Sequence, residues 1–172
     1  MMILITGGSK CGKSHYAESL FYNFDGQKFY IATMQPFGDE AQAAIRRHRE
    51  MRRNKGFETI EKYTDTEDLQ LPGGCGILLE CMGNLCANEM FRSSVVCNPA
   101  EKILSGILHL KKIAALLIIV TNEVACDGIS YECGTSAYIR VLNEINCRIA
   151  EMADHVMECV YGIPVALKGT IL

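Results

Sequence analysis

The sequence predicts an α/β fold in which helices cover both faces of a mostly parallel β-sheet. Three observations support this prediction. Short, nearly continuous apolar runs recur along the chain, and such runs are typical of strands buried on both faces of a parallel sheet. Segments with apolar residues at helical spacing separate these runs. The first run leads into a glycine-rich loop and then into a helical pattern, so strand, loop and helix follow one another directly.

The glycine-rich loop fits the phosphate-binding pattern G-x-x-x-x-G-K-[ST]. Its residues are Gly7, Gly8, Ser9, Lys10, Cys11, Gly12, Lys13 and Ser14. Gly7 and Gly12 allow backbone conformations that a side chain would forbid, so successive N–H groups can cradle an anion. Lys13 supplies positive charge for the β- and γ-phosphates of a nucleotide, and the Ser14 hydroxyl can ligate Mg²⁺. A strand expected over residues 2–5 and a helix expected over residues 15–24 complete the motif. The sequence therefore predicts a phosphate-loop NTPase.

The remaining elements alternate along the chain. Strands are expected over residues 29–32, 76–81 and 115–121, and helices over residues 39–53, 84–91, 100–112 and 135–152. A short extended segment is expected over residues 56–61, a loop over residues 72–74, and a closing strand pair or hairpin over residues 155–160 and 164–167. Because no repeat, low-complexity stretch or long linker interrupts this order, a single domain over residues 1–172 is expected.

The composition is that of a globular enzyme and excludes several other classes of protein. Hydrophobic residues make up 49% and charged residues 22% of the chain, and the net charge is −3, which argues against a general nucleic-acid binder. No apolar run reaches the ~18–20 residues that a bilayer span needs, and the first run is too short for a signal-peptide core. The nine cysteines show no C-x-x-C spacing, so neither a zinc site nor a redox motif is indicated. They are expected to be reduced thiols of a cytoplasmic protein, mostly serving as small buried apolar side chains.

Polar residues follow two of the predicted strands. Glu80 ends an apolar run, at the position where phosphate-loop enzymes hold an acidic residue for Mg²⁺ or its water shell. The other interpretation of Glu80 is a strand-end carboxylate that faces solvent. Residues 121–124, Thr-Asn-Glu-Val, follow the most apolar run. They are equally compatible with binding phosphate, metal or substrate and with a structural loop role.

The helix expected over residues 39–53 carries a histidine among arginines. Five arginines lie near His48: Arg46, Arg47, Arg49, Arg52 and Arg53. A charged face with a structural histidine is one interpretation, and a nucleic-acid contact is another. The third is a nucleophile, because guanidinium groups disfavour imidazolium and a neutral imidazole attacks phosphorus. The residues alone leave the nucleophilic and structural roles equally open.

Several segments in one order resemble a known family nearly end to end. They are GGSKCGKS, IATMQPFGDE, AIRRHREMRR, LLECMGN, VTNEV and the terminal ADHV with GIPVALK. Together they are similar to the bifunctional adenosylcobinamide kinase / adenosylcobinamide-phosphate guanylyltransferase family. The resemblance implies a RecA-like phosphate-loop fold and a homotrimer. It implies that ATP or GTP phosphorylates the corrinoid substrate, and that GMP then passes from GTP to the product through a guanylylated histidine.

The resemblance also implies roles for individual residues. His48 would be the guanylylated histidine; the phosphate-loop motif itself indicates Lys13 as the second catalytic residue. Besides the phosphate loop, the nucleotide contacts would come from Ala32, Thr33, Met34, Arg49, Glu50, Met51, Arg52, Glu61 and Glu80. Ser14 and Glu80 would bind Mg²⁺. The chain departs from the family pattern where members carry Arg-Pro and then Trp, because it has Arg52-Arg53 and then Phe57.

A phosphate loop is also compatible with three other functions. A single-activity small-molecule kinase would use the same phosphate loop with a structural His48. A RecA-like nucleic-acid ATPase would use the arginine-rich helix to bind a strand, but the net negative charge and the absence of Trp disfavour it, since such sites rely on aromatic stacking. A GTP-dependent switch is disfavoured because no Asn-Lys-x-Asp segment is present.

Overall fold

The computed structural model describes residues 1–172 except 40, 41, 44, 47–49, 51–54, 94–95, 125–130 and 172. The strands are β1 (Met2–Thr6), β2 (Lys28–Ala32), β3 (Phe57–Glu61), β4 (Cys75–Glu80), β5 (Ala114–Val120), β6 (His155–Val160) and β7 (Ile163–Lys168). The helices are α1 (Lys13–Ser19), α2 (Met82–Met90), α3 (Ala100–Ile113) and α4 (Cys133–Met152), with a 3₁₀ turn at Thr66–Asp68.

All seven strands form one sheet in the order β3-β2-β4-β5-β1-β6-β7. Six of them run parallel, and β7 returns antiparallel to β6 as a hairpin. The mostly parallel sheet and the closing hairpin confirm the predicted fold. Because β1 runs parallel to its neighbours β5 and β6, the loop that follows it lies at the carboxyl ends of the strands, where ligands gather in such folds.

Alternate residues of the central strands enter two separate apolar cores. On one face, Leu4, Leu79 and Ile119 pack with the apolar sides of α2, α3 and α4. On the other face, Ile5 and Ile118 are among the residues that pack with α1. Helices therefore lie on both faces, as predicted. The strand interiors are nearly all buried, which is why they appear in the sequence as continuous apolar runs.

Most boundaries lie close to those predicted, with two differences. Helix α1 ends at Ser19 rather than at residue 24, because Phe21 keeps its place in the core from the turn that follows. The 3₁₀ turn at Thr66–Asp68 was not predicted. In the helix predicted over residues 39–53, the described positions 39, 42, 43, 45, 46 and 50 are helical.

The eight described cysteines are free thiols. Three of them, Cys75, Cys86 and Cys159, are buried, and three are exposed. The exposed ones are Cys133 and Cys147 on α4 and Cys97 in the loop before α3. Since only three of the eight are buried, the expectation that most cysteines serve as small buried side chains is wrong. In the described part of the chain, no helix combines the length and the apolar character needed to cross a membrane.

A charged cluster fixes the segment between β3 and β4 to the helices. Arg92 Nη1 donates to Asp65 Oδ1 at 2.8 Å, and Lys102 Nζ donates to both Asp65 and Glu89. Glu89 is only 4% exposed, and its Oε1 accepts the backbone N–H of Asp65 at 2.7 Å. The hydrogen bond from Lys102 is the main cause that lowers the pKa of Asp65 from 3.8 to about 2.

We expect Asp65→Asn to lower the free energy of unfolding at neutral pH by ~1–2 kcal/mol, since one pKa unit corresponds to ~1.36 kcal/mol. Asparagine tolerates the left-handed backbone that Asp65 adopts, with φ 55°. The lowered pKa means that the stabilisation is complete above pH 3.8 and disappears as the pH falls through about 2. Urea unfolding at several pH values measures this, with the exposed Asp68→Asn as control. An unfolding difference that stays constant down to pH 2 contradicts the prediction.

Candidate active site

The carboxyl ends of the parallel strands bring several predicted residues into one row across the sheet. Ala32 on β2 lies opposite both Glu61 on β3 and Glu80 on β4. Glu80 in turn lies opposite Val120 on β5, which lies opposite Ile5 on β1. The phosphate loop begins just beyond Ile5. The row therefore places Glu61, Glu80 and the phosphate loop along the same edge of the sheet.

The phosphate loop connects β1 to α1 and is closely packed at both of its glycines. Gly7 has φ 136°, and a Cβ there would lie 2.6 Å from the carbonyl oxygen of Cys159. Gly12 has φ 101°, and a Cβ there would lie 2.9 Å from Cα of Gly162 in the β6–β7 turn. Both the backbone conformation and the available space require glycine. The hairpin at the edge of the sheet thus supports the loop from outside.

Lys13 is the first residue of α1 and is 7% exposed. Its Nζ donates to the carbonyl oxygens of Gly7 at 3.0 Å and of Gly8 at 2.6 Å. These charge-assisted hydrogen bonds offset the cost of burying an ammonium group. They also hold the positive charge over the loop, where a bound triphosphate would offer the same group anionic acceptors.

Glu80 is held by two hydroxyl groups from different elements. Ser14 Oγ, on α1, donates to Glu80 Oε1. Tyr30 Oη, on β2, donates to Glu80 Oε2 at 2.7 Å. The carboxylate and the Ser14 hydroxyl present adjacent oxygen atoms, which are the ligands that Mg²⁺ prefers. These residues therefore fit the metal that phosphate-loop chemistry uses.

Thr33 is fully buried directly after β2. Its Oγ1 donates to the carbonyl oxygen of Cys81 and accepts from the N–H of Cys81, both at 2.8 Å. Its own N–H donates to the carbonyl oxygen of Glu80 at 3.1 Å. The side chain therefore fixes the chain just after Glu80, beside the half-buried Ala32 and Met34. The nucleotide contacts of these three residues stay predictions.

Four of the predicted site residues lie outside the described residues: the nucleophile His48, and Arg49, Met51 and Arg52. Glu50 is described, helical and exposed. After this segment, Lys55 forms an ion pair with Glu18 of α1, a carboxylate that is 5% exposed. Glu61, at the exposed end of β3, accepts a hydrogen bond from Tyr63 Oη at 2.9 Å. The described residues on the two sides of this segment, Thr33 before it and Lys55 after it, therefore contact Glu80 and the phosphate-loop helix, respectively.

Residues 121–124 follow β5, as predicted. Thr121 is fully buried, and its Oγ1 donates to Asn146 Oδ1 at 2.8 Å. The Asn122 side chain donates to Cys81 Sγ at 3.9 Å, and burial raises the pKa of the Cys81 thiol. Both side chains thus have structural partners, whereas Glu123 is exposed.

Sequence reasoning missed Tyr30 and Gly162. A tyrosine in a strand that is buried on both faces needs a partner for its hydroxyl, and this signal was available. No local signal marks Gly162, whose N–H donates to the carbonyl oxygen of Cys11 at 2.8 Å, because its partner is remote in sequence.

We expect Tyr30→Phe to weaken divalent-cation binding in the enzyme–nucleotide complex about tenfold, the scale of one lost hydrogen bond to a charged acceptor. The phenyl ring would keep its edge contact with Phe57, whose centroid lies 6.4 Å away, so the core stays filled. Mn²⁺ titration followed by electron paramagnetic resonance, with GDP bound, measures the affinity without relying on turnover. The matched control is Tyr22→Phe at a side chain that is 68% exposed. Equal Mn²⁺ affinity in wild type and Tyr30→Phe contradicts the prediction.

Comparison with known proteins gives consistent matches. The family described as cobinamide kinase / cobinamide phosphate guanyltransferase matches residues 3–167. The bifunctional adenosylcobalamin biosynthesis protein CobU of Escherichia coli strain K12 is 32% identical over 184 residues, which cover 98% of this chain and 100% of that protein. The protein of the same name from Salmonella typhimurium is 33% identical with the same coverage. The bifunctional adenosylcobalamin biosynthesis protein CobP of Pseudomonas aeruginosa is 27% identical over 98% of both chains.

Proposed function

Because this chain belongs to the cobinamide kinase / cobinamide phosphate guanyltransferase family, we propose that it carries out both reactions on adenosylcobinamide. It phosphorylates the aminopropanol hydroxyl with a nucleoside triphosphate. It then transfers GMP from GTP to that phosphate through a guanylyl group on His48. The observation that carries this proposal is the hydrogen bond from Ser14, at the end of the phosphate loop, to Glu80 across the sheet, which supports a site for a triphosphate with its Mg²⁺ at this position.

In the kinase reaction, the loop amides and Lys13 stabilise the charge that develops as the γ-phosphoryl group moves. Ser14 and Glu80 would hold Mg²⁺, which when bound neutralises charge on the phosphate oxygens. Tyr30 keeps the Glu80 carboxylate in one orientation through its second oxygen. Of the residues proposed to contact the nucleotide, Ala32 and Glu61 fall along the same row of the sheet, and Thr33 and Met34 follow Ala32 directly.

In the guanylyl transfer, the neutral imidazole of His48 attacks the α-phosphorus of GTP and pyrophosphate leaves. The phosphate of the corrinoid product then attacks the phosphoramidate, takes the GMP and restores the histidine. Arg49 and Arg52 would neutralise the triphosphate through bidentate contacts, with Glu50 and Met51 beside them. Because the GMP moves in two displacements, first to His48 and then to the corrinoid phosphate, one enzyme can serve both acceptors in turn. The ion pair between Lys55 and Glu18 supports the proposal, because it fixes the chain after this segment to the phosphate-loop helix.

Two labels test the proposal directly. Incubation with α-labelled GTP should leave covalent label on the protein, and γ-labelled ATP should transfer its label to adenosylcobinamide. Loss of the first result with retention of the second would indicate a single-activity kinase. Absence of both would overturn the proposal.

We also propose a homotrimeric, cytoplasmic enzyme. The β6–β7 hairpin exposes a row of apolar side chains that supports self-association: Tyr161, Ile163, Val165 and Leu167. An exposed apolar edge strand is normally covered by a partner. Light scattering of the purified protein tests the trimer, and a monomer at micromolar concentration would overturn it.

No partner is proposed beyond the corrinoid and the nucleotides. Nucleic acid is excluded from the proposal because the net charge of the chain is −3.

A further inference from the structure

Glu123 lies beside the phosphate loop because of the strand order. It follows β5, which lies between β1 and β4, and so it emerges between the phosphate loop and Glu80. Its backbone N–H donates to the carbonyl oxygen of Gly7 at 3.4 Å. The same carbonyl oxygen accepts from Lys13 Nζ at 3.0 Å. The backbone N–H of Glu123 and the Lys13 ammonium group therefore share one acceptor, the carbonyl oxygen of Gly7, so Glu123 lies close to the lysine that we expect to contact the phosphates.

The carboxylate of Glu123 is open to an incoming molecule. The residue is exposed, and its Oε1 accepts from Thr6 Oγ1 at 3.3 Å. Among the described residues, Oε2 accepts no hydrogen bond. By contrast, both oxygens of Glu80 accept hydroxyl hydrogen bonds, from Ser14 and Tyr30. Glu123 thus presents an accessible carboxylate oxygen at the mouth of the phosphate loop.

The proposed reactions differ in whether the nucleophile carries a proton that must be removed. A neutral imidazole attacks through a nitrogen lone pair, and a phosphate attacks as an anion. Only the alcohol of the kinase reaction gives up a proton when it attacks, and general base catalysis of such a step contributes typically ~10²–10⁴-fold. A base beside the γ-phosphate would therefore serve the kinase reaction alone.

We propose that Glu123 is this base, a catalytic residue of the kinase reaction; the inference rests on the proposed function. The hydroxyl oxygen of the substrate forms a bond to the γ-phosphorus as the bond between that phosphorus and the β,γ-bridging oxygen breaks. The electron pair of the broken bond leaves with the nucleoside diphosphate. The hydroxyl proton passes to Oε2 of Glu123. Thr6 holds the other oxygen, so that Oε2 is directed to the acceptor.

The test compares two activities in one preparation of Glu123→Gln. Single-turnover phosphoryl transfer from ATP to adenosylcobinamide should slow by ~10²–10⁴-fold, the usual contribution of a general base, with the KM for ATP unchanged. Covalent attachment of GMP from GTP should stay within about twofold of wild type, since that step needs no such base. The matched control is Glu158→Gln, a half-buried carboxylate that pairs in register with Thr6 from the opposite side of β1; it should keep both activities.

Two results would overturn the inference. One is a kinase rate in Glu123→Gln within about threefold of wild type, too small a change for a general base. The other is an equal loss of kinase and GMP attachment, which would indicate a role in nucleotide binding or in loop structure. Glu123→Ala is made in parallel, with the same expectations, so that the outcome does not depend on the folding of one variant. Failure of wild type itself in both assays would instead overturn the proposed function.

Discussion

Replacement of His48 by alanine is expected to reduce covalent GMP attachment and guanylyl transfer by at least ~10⁴-fold, the scale for loss of a covalent nucleophile. Kinase activity should remain measurable, because the phosphate loop and Glu80 do not depend on the imidazole. Mass spectrometry of the enzyme after incubation with GTP would locate the adduct. A phosphoramidate should be labile to acid and stable to base, unlike a phosphate ester of a hydroxyl group.

The control for this variant is His15→Ala. His15 is exposed on the first turn of α1, next to Ser14, and is therefore a histidine close to the phosphate loop. Its variant should still become labelled. A GMP adduct found on Lys13, or on His15, would show that the nucleophile was assigned wrongly.

Lys13→Ala is expected to lower both phosphoryl transfer and GMP attachment by at least ~10²-fold, the scale for loss of one preorganised electrostatic group. Lys13 is the ammonium group that the carbonyl oxygens of Gly7 and Gly8 hold over the loop. If both reactions bind their triphosphate at this loop, both should be slowed, in contrast to the selective losses expected at His48 and Glu123. Single-turnover rates with ATP and with GTP measure the two effects.

The control for Lys13→Ala is Lys112→Ala, which removes an exposed lysine from the end of α3. Circular dichroism should show that both variants are folded. Normal kinase turnover in folded Lys13→Ala protein would mean that this loop does not bind the reacting phosphates.

The sequence predicted well those elements whose signal is local. Strands β1, β4 and β5 are buried along most of their length, so their apolar runs mark them to within about one residue. The helical pattern after Lys13 was misleading, because Phe21 packs into the same core from a turn as it would from a helix. Periodicity reports which side chains face the core, and it reports the backbone only indirectly.

Within the site, the loop motif located Lys13 and Ser14, and the strand end located Glu80. The partners of these residues could not be predicted, because sheet register determines them. Tyr30 reaches Glu80 because β2 and β4 are neighbours although β3 separates them in sequence. Strand order is a property of the whole chain, which no local pattern encodes.

The close approach of Gly12 to Gly162 makes any substitution at position 12 depend on the β6–β7 turn, which is remote in sequence. A side chain at position 12 would collide with Cα of Gly162, and Gly162 itself has φ 83°, where other residues are strained. A side chain at position 12 therefore requires the hairpin or the loop to move, whereas position 162 is restricted by its backbone conformation. For protein engineering, the same contact makes the β6–β7 turn a site for inserting a sensor domain. We expect ligand binding to such a domain to shift the turn against the phosphate loop and so to change the nucleotide affinity of the protein.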